Sequence, residues 1–202
     1  MHVTLYGFVL FLHITVAIVA FMMAGVLHAA LQALARAGDV REMRSWGLLI
    51  HRLDPLFPFA ALLLLGFGAW LIHLSGGGVS WGDGWLLTSL ISLIVVEGAS
   101  GVLIAPKAKA AVKLIDEAPD GAVPAELRRL SVDPAIWHVA HVATFGFTGV
   151  VFLMAAKPAG GLAVVIVIVA AAIGVLVSLA QLRPLRGDAG APAATQRKVE
   201  AV

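Results

Sequence analysis

The residues able to do chemistry in this chain are few, and most of them fall inside apolar stretches. Glu97 is the clearest case. It follows Trp85 by twelve residues in the run WLLTSLISLIVVEGAS, which at about 1.5 Å per helical residue puts it roughly 18 Å along the axis, near the middle of a bilayer. A carboxyl there can carry a proton, contact an ion or substrate, or pair with a buried histidine, because ionisable groups at membrane depth are functional by default. It can equally be a protonated or hydrogen-bonded group that joins helices. Gly98, Ser100 and Gly101 beside it form a small polar face suited to close helix contact, which predicts that Glu97 faces the bundle.

Histidine supplies the other candidates. His13 lies in FVLFLHITVAIV, seven residues past Tyr6 and so about 10 Å below the boundary of its run. An imidazole there can ligate iron or copper or shuttle protons, and it can also simply bond a neighbouring helix. His138 and His141 form a His-x-x-His pair in DPAIWHVAHVATF, a spacing that sets both on one helix face. His28, near the far end of the first run, and His51, just before the second, are predicted to lie at a similar depth. His28, His51, His138 and His141 then converge on one leaflet, where they can offer axial ligands to a b-type haem or be interfacial histidines without a metal. His2 and His73 fall at the opposite boundary. The chain has no cysteine, which excludes disulfides, thiolate metal sites and haem attached through Cys-x-x-Cys-His.

Such groups need a scaffold that holds them in lipid. Of the 202 residues 60% are hydrophobic and 13% charged, and the mean hydropathy is +0.97, so there is too little polar surface to coat a soluble globule. The apolar residues gather into blocks of about 20 or more, the length a membrane helix needs, and none alternates as a barrel strand would. The predicted fold class is therefore all-α: a single transmembrane helical bundle over 1–182, with about five helices at 3–34, 53–73, 85–106, 134–156 and 161–182. The first block lacks a basic leader and exceeds the length of a signal-peptide core, so it is read as a retained helix. Residues 183–202 are rich in Ala, Pro, Gly and charge and read as a disordered tail. Asp133 before Pro134 reads as a helix N-cap.

Charge orients the bundle. Arg36, Arg41, Arg44, Arg52, Lys107, Lys109, Lys113, Arg128, Arg129, Arg183, Arg186, Arg197 and Lys198 fall in alternate loops and the tail, while Lys157 alone falls on the other side. The positive-inside rule makes the crowded side cytoplasmic. The expectation is a multi-pass cell-membrane protein, N-out and C-in, in the bacterial inner membrane if the source is prokaryotic. The lipid bilayer is its expected partner, with a membrane protein or a second copy as a further candidate and nucleic acid excluded for want of any matching pattern.

Four stretches carry a resemblance to a known family. They are LHI around His13, the basic loop leading into RLDPLFPFAALLLLGFGAWL, the WLLTSL that opens the third run, and MAAKPAG over 154–160. On these the chain resembles a family of small prokaryotic integral membrane proteins of unknown function, loosely similar to the CopD and HemJ-like membrane haem proteins. In HemJ-like proteins a first-helix histidine and a third-helix lysine are associated with haem b, and the proteins are linked to protoporphyrinogen oxidation. The resemblance thus implies haem b at His13. Thr88 and Ser89 occupy the stretch comparable to that lysine, so a second ligand has to come from elsewhere.

Three functions follow as expectations. The first is a haem-binding or redox membrane protein using His13 or the inner histidine set. The second is a small transporter or ion-handling protein with Glu97 as its coupling carboxylate. The third is an accessory subunit that packs on a larger complex through the small-residue faces GFGAW and EGASG.

Overall fold

The computed structural model describes residues 4–190. Its helices are α1 (Leu5–Arg36), α2 (Val40–Leu53), α3 (Leu56–Leu74), α4 (Gly84–Ala99), α5 (Ala105–Glu117), α6 (Ala125–Ser131), α7 (Pro134–Ala156) and α8 (Gly160–Gly190). A π-helical turn, Ser100–Ile104, joins α4 to α5. Five stretches are long and apolar enough to cross a membrane: Leu5–Arg36, Val40–Leu74, Gly84–Glu117, Ala125–Ala156 and Gly160–Gly187. Large apolar side chains such as Phe11, Met22, Leu62, Ile91, Val102 and Leu176 point outward and are more than half exposed. A surface of that kind is stable only against lipid, and the protein is a multi-pass integral membrane protein.

Local chemistry sets where the helices begin. Thr4 accepts from the Gly7 N–H at 3.1 Å to cap α1. Asp133 accepts from the N–H groups of Ala135 and Ile136 and Pro134 fills the first helical position, where a missing N–H is harmless. Asp39 caps α2 through the Glu42 N–H at 2.8 Å, and the Glu42 carboxylate returns to the Gly38 N–H at 2.9 Å, a close variant of the capping box.

Three boundaries differ from those expected. The basic stretch before the second span is a helix, α2, because Val40, Met43 and Gly47 are buried on one side while Arg41 and Arg52 face outward. The third span does not stop at Pro106. Proline has no N–H and crowds the carbonyl four residues back, and the chain answers by widening: Ala105 donates to the Ser100 carbonyl, five residues back, and α5 continues. The tail expected from 183 is helical as far as Gly190. Leu182 and Leu185 bury against Leu31, Ala35, Val132 and Trp137, and that packing carries α8 through Pro184. Residues 191–202, the rest of that expected tail, and His2 lie outside the described residues.

The bundle is held by α7 along α8, α1 against α3, and α4 against α7. The α7–α8 crossing is the tightest. A methyl group on Gly174 would lie 2.8 Å from the His141 carbonyl oxygen, so only glycine lets the two backbones approach this closely. At the basic end Arg128 donates to the carbonyls of Ala35 and Ala37 at 2.8 and 2.7 Å, satisfying groups that the end of α1 leaves free. Arg44 there pairs with Asp120 at 2.9 Å, and that hydrogen bond and charge hold the Asp120 carboxyl below the usual carboxylate range.

Candidate functional site

A row of polar side chains runs inward from the basic end between α1, α7 and α8. Arg36 donates to the Gln32 Oε1 at 3.2 Å, and the Gln32 Nε2 donates to the Gln181 Oε1 at 3.1 Å. The same Gln181 oxygen lies 3.2 Å from His141 Nε2, while His141 Nδ1 lies 2.8 Å from the Trp137 carbonyl. The His141 ring touches that of His28, with centroids 4.3 Å apart, and stacks on Trp137 at 5.9 Å. His28 Nε2 then lies 3.0 Å from the Thr144 hydroxyl. His141 is 2% exposed, and polar groups this deep persist when they are hydrogen-bonded.

The carbonyl partners fix one tautomer. The Thr144 hydroxyl donates to the Ala140 carbonyl at 3.0 Å, so towards His28 it accepts, and His28 carries its proton on Nε2. The other nitrogen of His28, Nδ1, is buried with no hydrogen-bond partner. Its lone pair faces no donor.

Beyond Thr144 the row opens into a cavity of about 80 Å³ between α1, α3, α4 and α7. Glu97 lines this cavity together with Thr144, Phe57 and Ala61. The carboxylate thus faces the bundle as its setting predicts, level with the middle turns of α1 and α7. Its small neighbours do not mediate the contact: Gly98 and Gly101 are exposed, and a methyl group added to either would have nothing within 4 Å.

A second, larger cavity of about 360 Å³ lies on the far side of Leu64, Leu93 and Phe147, which line both. Its walls are almost wholly apolar. They include His13, Ser89, Trp81 and Met154. His13 packs against Gly68, where a methyl group would come within 3.5 Å of its ring, and its Nδ1 is buried without a hydrogen-bond partner. Ser89 is spoken for by the Trp85 carbonyl at 2.8 Å.

The expected set of four inner histidines is only partly assembled. His28 and His141 are in ring contact. His138 lies one turn earlier and bonds the buried Ser178 at 2.8 Å instead. His51 does not join them: it is exposed at the end of α2 and lines a separate cavity with Asp54 and Lys109, because α2 packs on α5 and turns its inner face there. Among the described residues no group of three or more His, Cys, Asp or Glu is placed to hold a metal ion. Gln32, Thr144 and Gln181, which connect the site, were not among the expected residues. Helical spacing could have found two of them, since Gln32 stands four positions from His28 and Thr144 three from His141, whereas Gln181 on α8 has no such neighbour.

Residues 7–158 match the model of a family described as predicted integral membrane protein, DUF2269. The chain belongs to this family. In this DUF2269 protein the matched stretch covers α1 to the end of α7, and so holds Arg36, Gln32, His28, His141, Thr144, Glu97 and His13; Gln181 and Ser178 on α8 lie beyond it. No curated protein and no solved structure matches the chain.

Proposed function

We propose that the protein handles protons, passing them between the cytoplasmic face and the carboxyl of Glu97 inside the bilayer. The observation that carries this reading is the unbroken row of contacts from Arg36 through Gln32, Gln181, His141 and His28 to Thr144, which opens on the cavity that Glu97 lines. Protons move along groups that both donate and accept, such as histidine and hydroxyl side chains; the links here are hydrogen bonds except between His141 and His28, whose rings are in contact without one. The cavity of about 80 Å³ is apolar except for Thr144 and Glu97, which are the groups that would hold the few waters bridging them. The excess of basic residues supports a cytoplasmic position for the Arg36 end. On the other side Leu64, Leu93 and Phe147 form an apolar wall that a proton leaving Glu97 has to pass.

Thr144 is the narrowest link and gives the test. Thr144→Val keeps the shape and removes the hydroxyl, and it is expected to slow proton flux into liposomes carrying the purified protein by about tenfold, the order of one lost hydrogen bond to a reacting group. A pH-sensitive dye in the vesicle lumen reads the rate. Flux in Thr144→Val equal to the wild type contradicts the route.

A second reading, haem b at His13, is supported by a different observation. The His13 Nδ1 has no partner, and the ring forms part of the wall of the large apolar cavity, the surroundings a porphyrin needs. His13 would hold the group better than the inner pair, since the rings of His28 and His141 are in contact at 4.3 Å and leave no space between them. Met154 on the cavity wall is a usual second ligand type. Bound haem would supply one-electron chemistry, with His13 holding the iron. Purified protein titrated with haem is expected to develop a Soret band that His13→Ala loses, and a wild-type sample that develops none rejects this reading.

A further inference from the structure

The hydrogen bonds around His141 do not close with a neutral ring. Arg36 has donors only, so the Gln32 oxygen must face it and the Gln32 amide nitrogen must face Gln181. That nitrogen takes the Gln181 oxygen, which also faces His141 Nε2. An oxygen cannot donate, so Nε2 must carry a proton. The other ring nitrogen faces the Trp137 carbonyl, which also only accepts, so Nδ1 must carry one too. An obligatory donor at one end and an obligatory acceptor at the other therefore leave one proton too many for a neutral imidazole.

We infer that His141 is the proton-exchanging residue of the row, and that Gln181 and Gln32 turn their amides over together when it changes charge. With His141 doubly protonated, the arrangement is the one just described. When the Nε2 proton is lost to bulk water as the pH rises, Nε2 becomes an acceptor and needs a donor. Gln181 supplies one by rotating its amide so that the nitrogen faces His141; its second N–H then meets Gln32, which must present its own oxygen and so turns its nitrogen towards Arg36. Arg36 loses its acceptor. The state of a buried ring is thereby transmitted to an arginine at the cytoplasmic end through two side-chain rotations, with no movement of the backbone.

The groups facing His141 suit a charge that comes and goes. From α1 it meets His28, whose Nδ1 is unpartnered, and, through Gln32, Arg36. From its own helix it meets Trp137, whose face supports a cation, while His138 is engaged with Ser178. From α8 it meets Gln181. Glu97 on α4 is reached only across the cavity by way of Thr144. The two histidine rings are close enough that both cannot readily be charged at once, so a proton on one favours its absence from the other.

This inference rests on the proposed proton route, and its test is read without any flux. Full-length protein labelled with ¹⁵N-histidine is reconstituted in liposomes, and solid-state NMR follows the ring nitrogens from about pH 5 to 9, the span over which an imidazole ordinarily titrates. One histidine is expected to pass from two protonated nitrogens to a single proton on Nδ1. Gln181→Glu places a carboxylate at Nε2 and is expected to raise that midpoint by about one to three pH units. Gln181→Leu and Arg36→Met, which remove the acceptor and the pinning donor, are expected to lower it. A midpoint that stays in place in all three variants, or a His141 that keeps one neutral tautomer throughout, overturns the inference. Those outcomes leave flux through Glu97 untouched, whereas absent flux with a shifting midpoint defeats the route and not the switch.

Discussion

Replacing Glu97 with glutamine is expected to reduce proton flux through the reconstituted protein by about a hundredfold or more, the scale of losing a group that gives and takes a proton. Glutamine matches the carboxyl in size and keeps its hydrogen-bonding reach, so the cavity shared with Thr144, Phe57 and Ala61 keeps its shape. What is lost is the exchangeable proton. Glu97→Asp retains that proton on a shorter stem and is expected to keep part of the flux. Helix content and thermal unfolding in detergent should match the wild type in both variants, which separates a chemical role from a packing one. Wild-type flux in Glu97→Gln, with the protein folded and inserted, would mean that Glu97 joins helices and carries nothing.

The largest structural effect is expected at Gly174. An alanine methyl there would lie 2.8 Å from the His141 carbonyl oxygen, 2.9 Å from its carbonyl carbon and 3.0 Å from the Val142 Cα. All three atoms are backbone and cannot swing aside, so α8 must move away from α7. Overpacking of this kind costs about 1 to 3 kcal/mol, and it should lower the unfolding midpoint in detergent. It should also slow proton flux, because Gln181 and Ser178 ride on α8 and their contacts with His141 and His138 span 3.2 and 2.8 Å. Gly66 is the control: nothing lies within 4 Å of its methyl position, and alanine there should be neutral or stabilising by up to about 1 kcal/mol. A Gly174→Ala protein that unfolds with the wild type would show that the crossing is looser than it looks.

The spans were legible because run length alone distinguishes a membrane helix from other apolar segments. The start of the seventh helix was legible, since Asp133 and Pro134 mark it; its end is set by Lys157 in the left-handed region, with φ of 46°, which apolar run length does not record. What escaped were helices whose signal is local packing. In α2 the arginines mask the spacing of Val40, Met43 and Gly47, and the burial that stabilises them comes from α1, α5 and α6. At Pro106 and Pro184 a residue that usually ends a helix is overridden, once by a widened turn and once by Leu182 and Leu185 in the core.

The site was half legible for a related reason. Charge or a titratable ring stands out in an apolar run, which is how Glu97, His28 and His141 came forward. Gln32, Thr144 and Gln181 are neutral, and no single one of them departs from what a helix surface tolerates. Their meaning lies in the pairing of Gln32 with Gln181 across 149 positions of sequence, at 3.1 Å in space. The fate of His51 also depended on which helix α2 packs against, and no pattern in one segment records that.

Proton entry into liposomes under a potassium diffusion potential tests the account most directly. The wild-type protein is predicted to acidify the lumen at a rate proportional to the amount of protein inserted, and Glu97→Gln vesicles are predicted to behave as protein-free ones. A wild-type rate equal to that of protein-free vesicles, at confirmed insertion, would contradict the account.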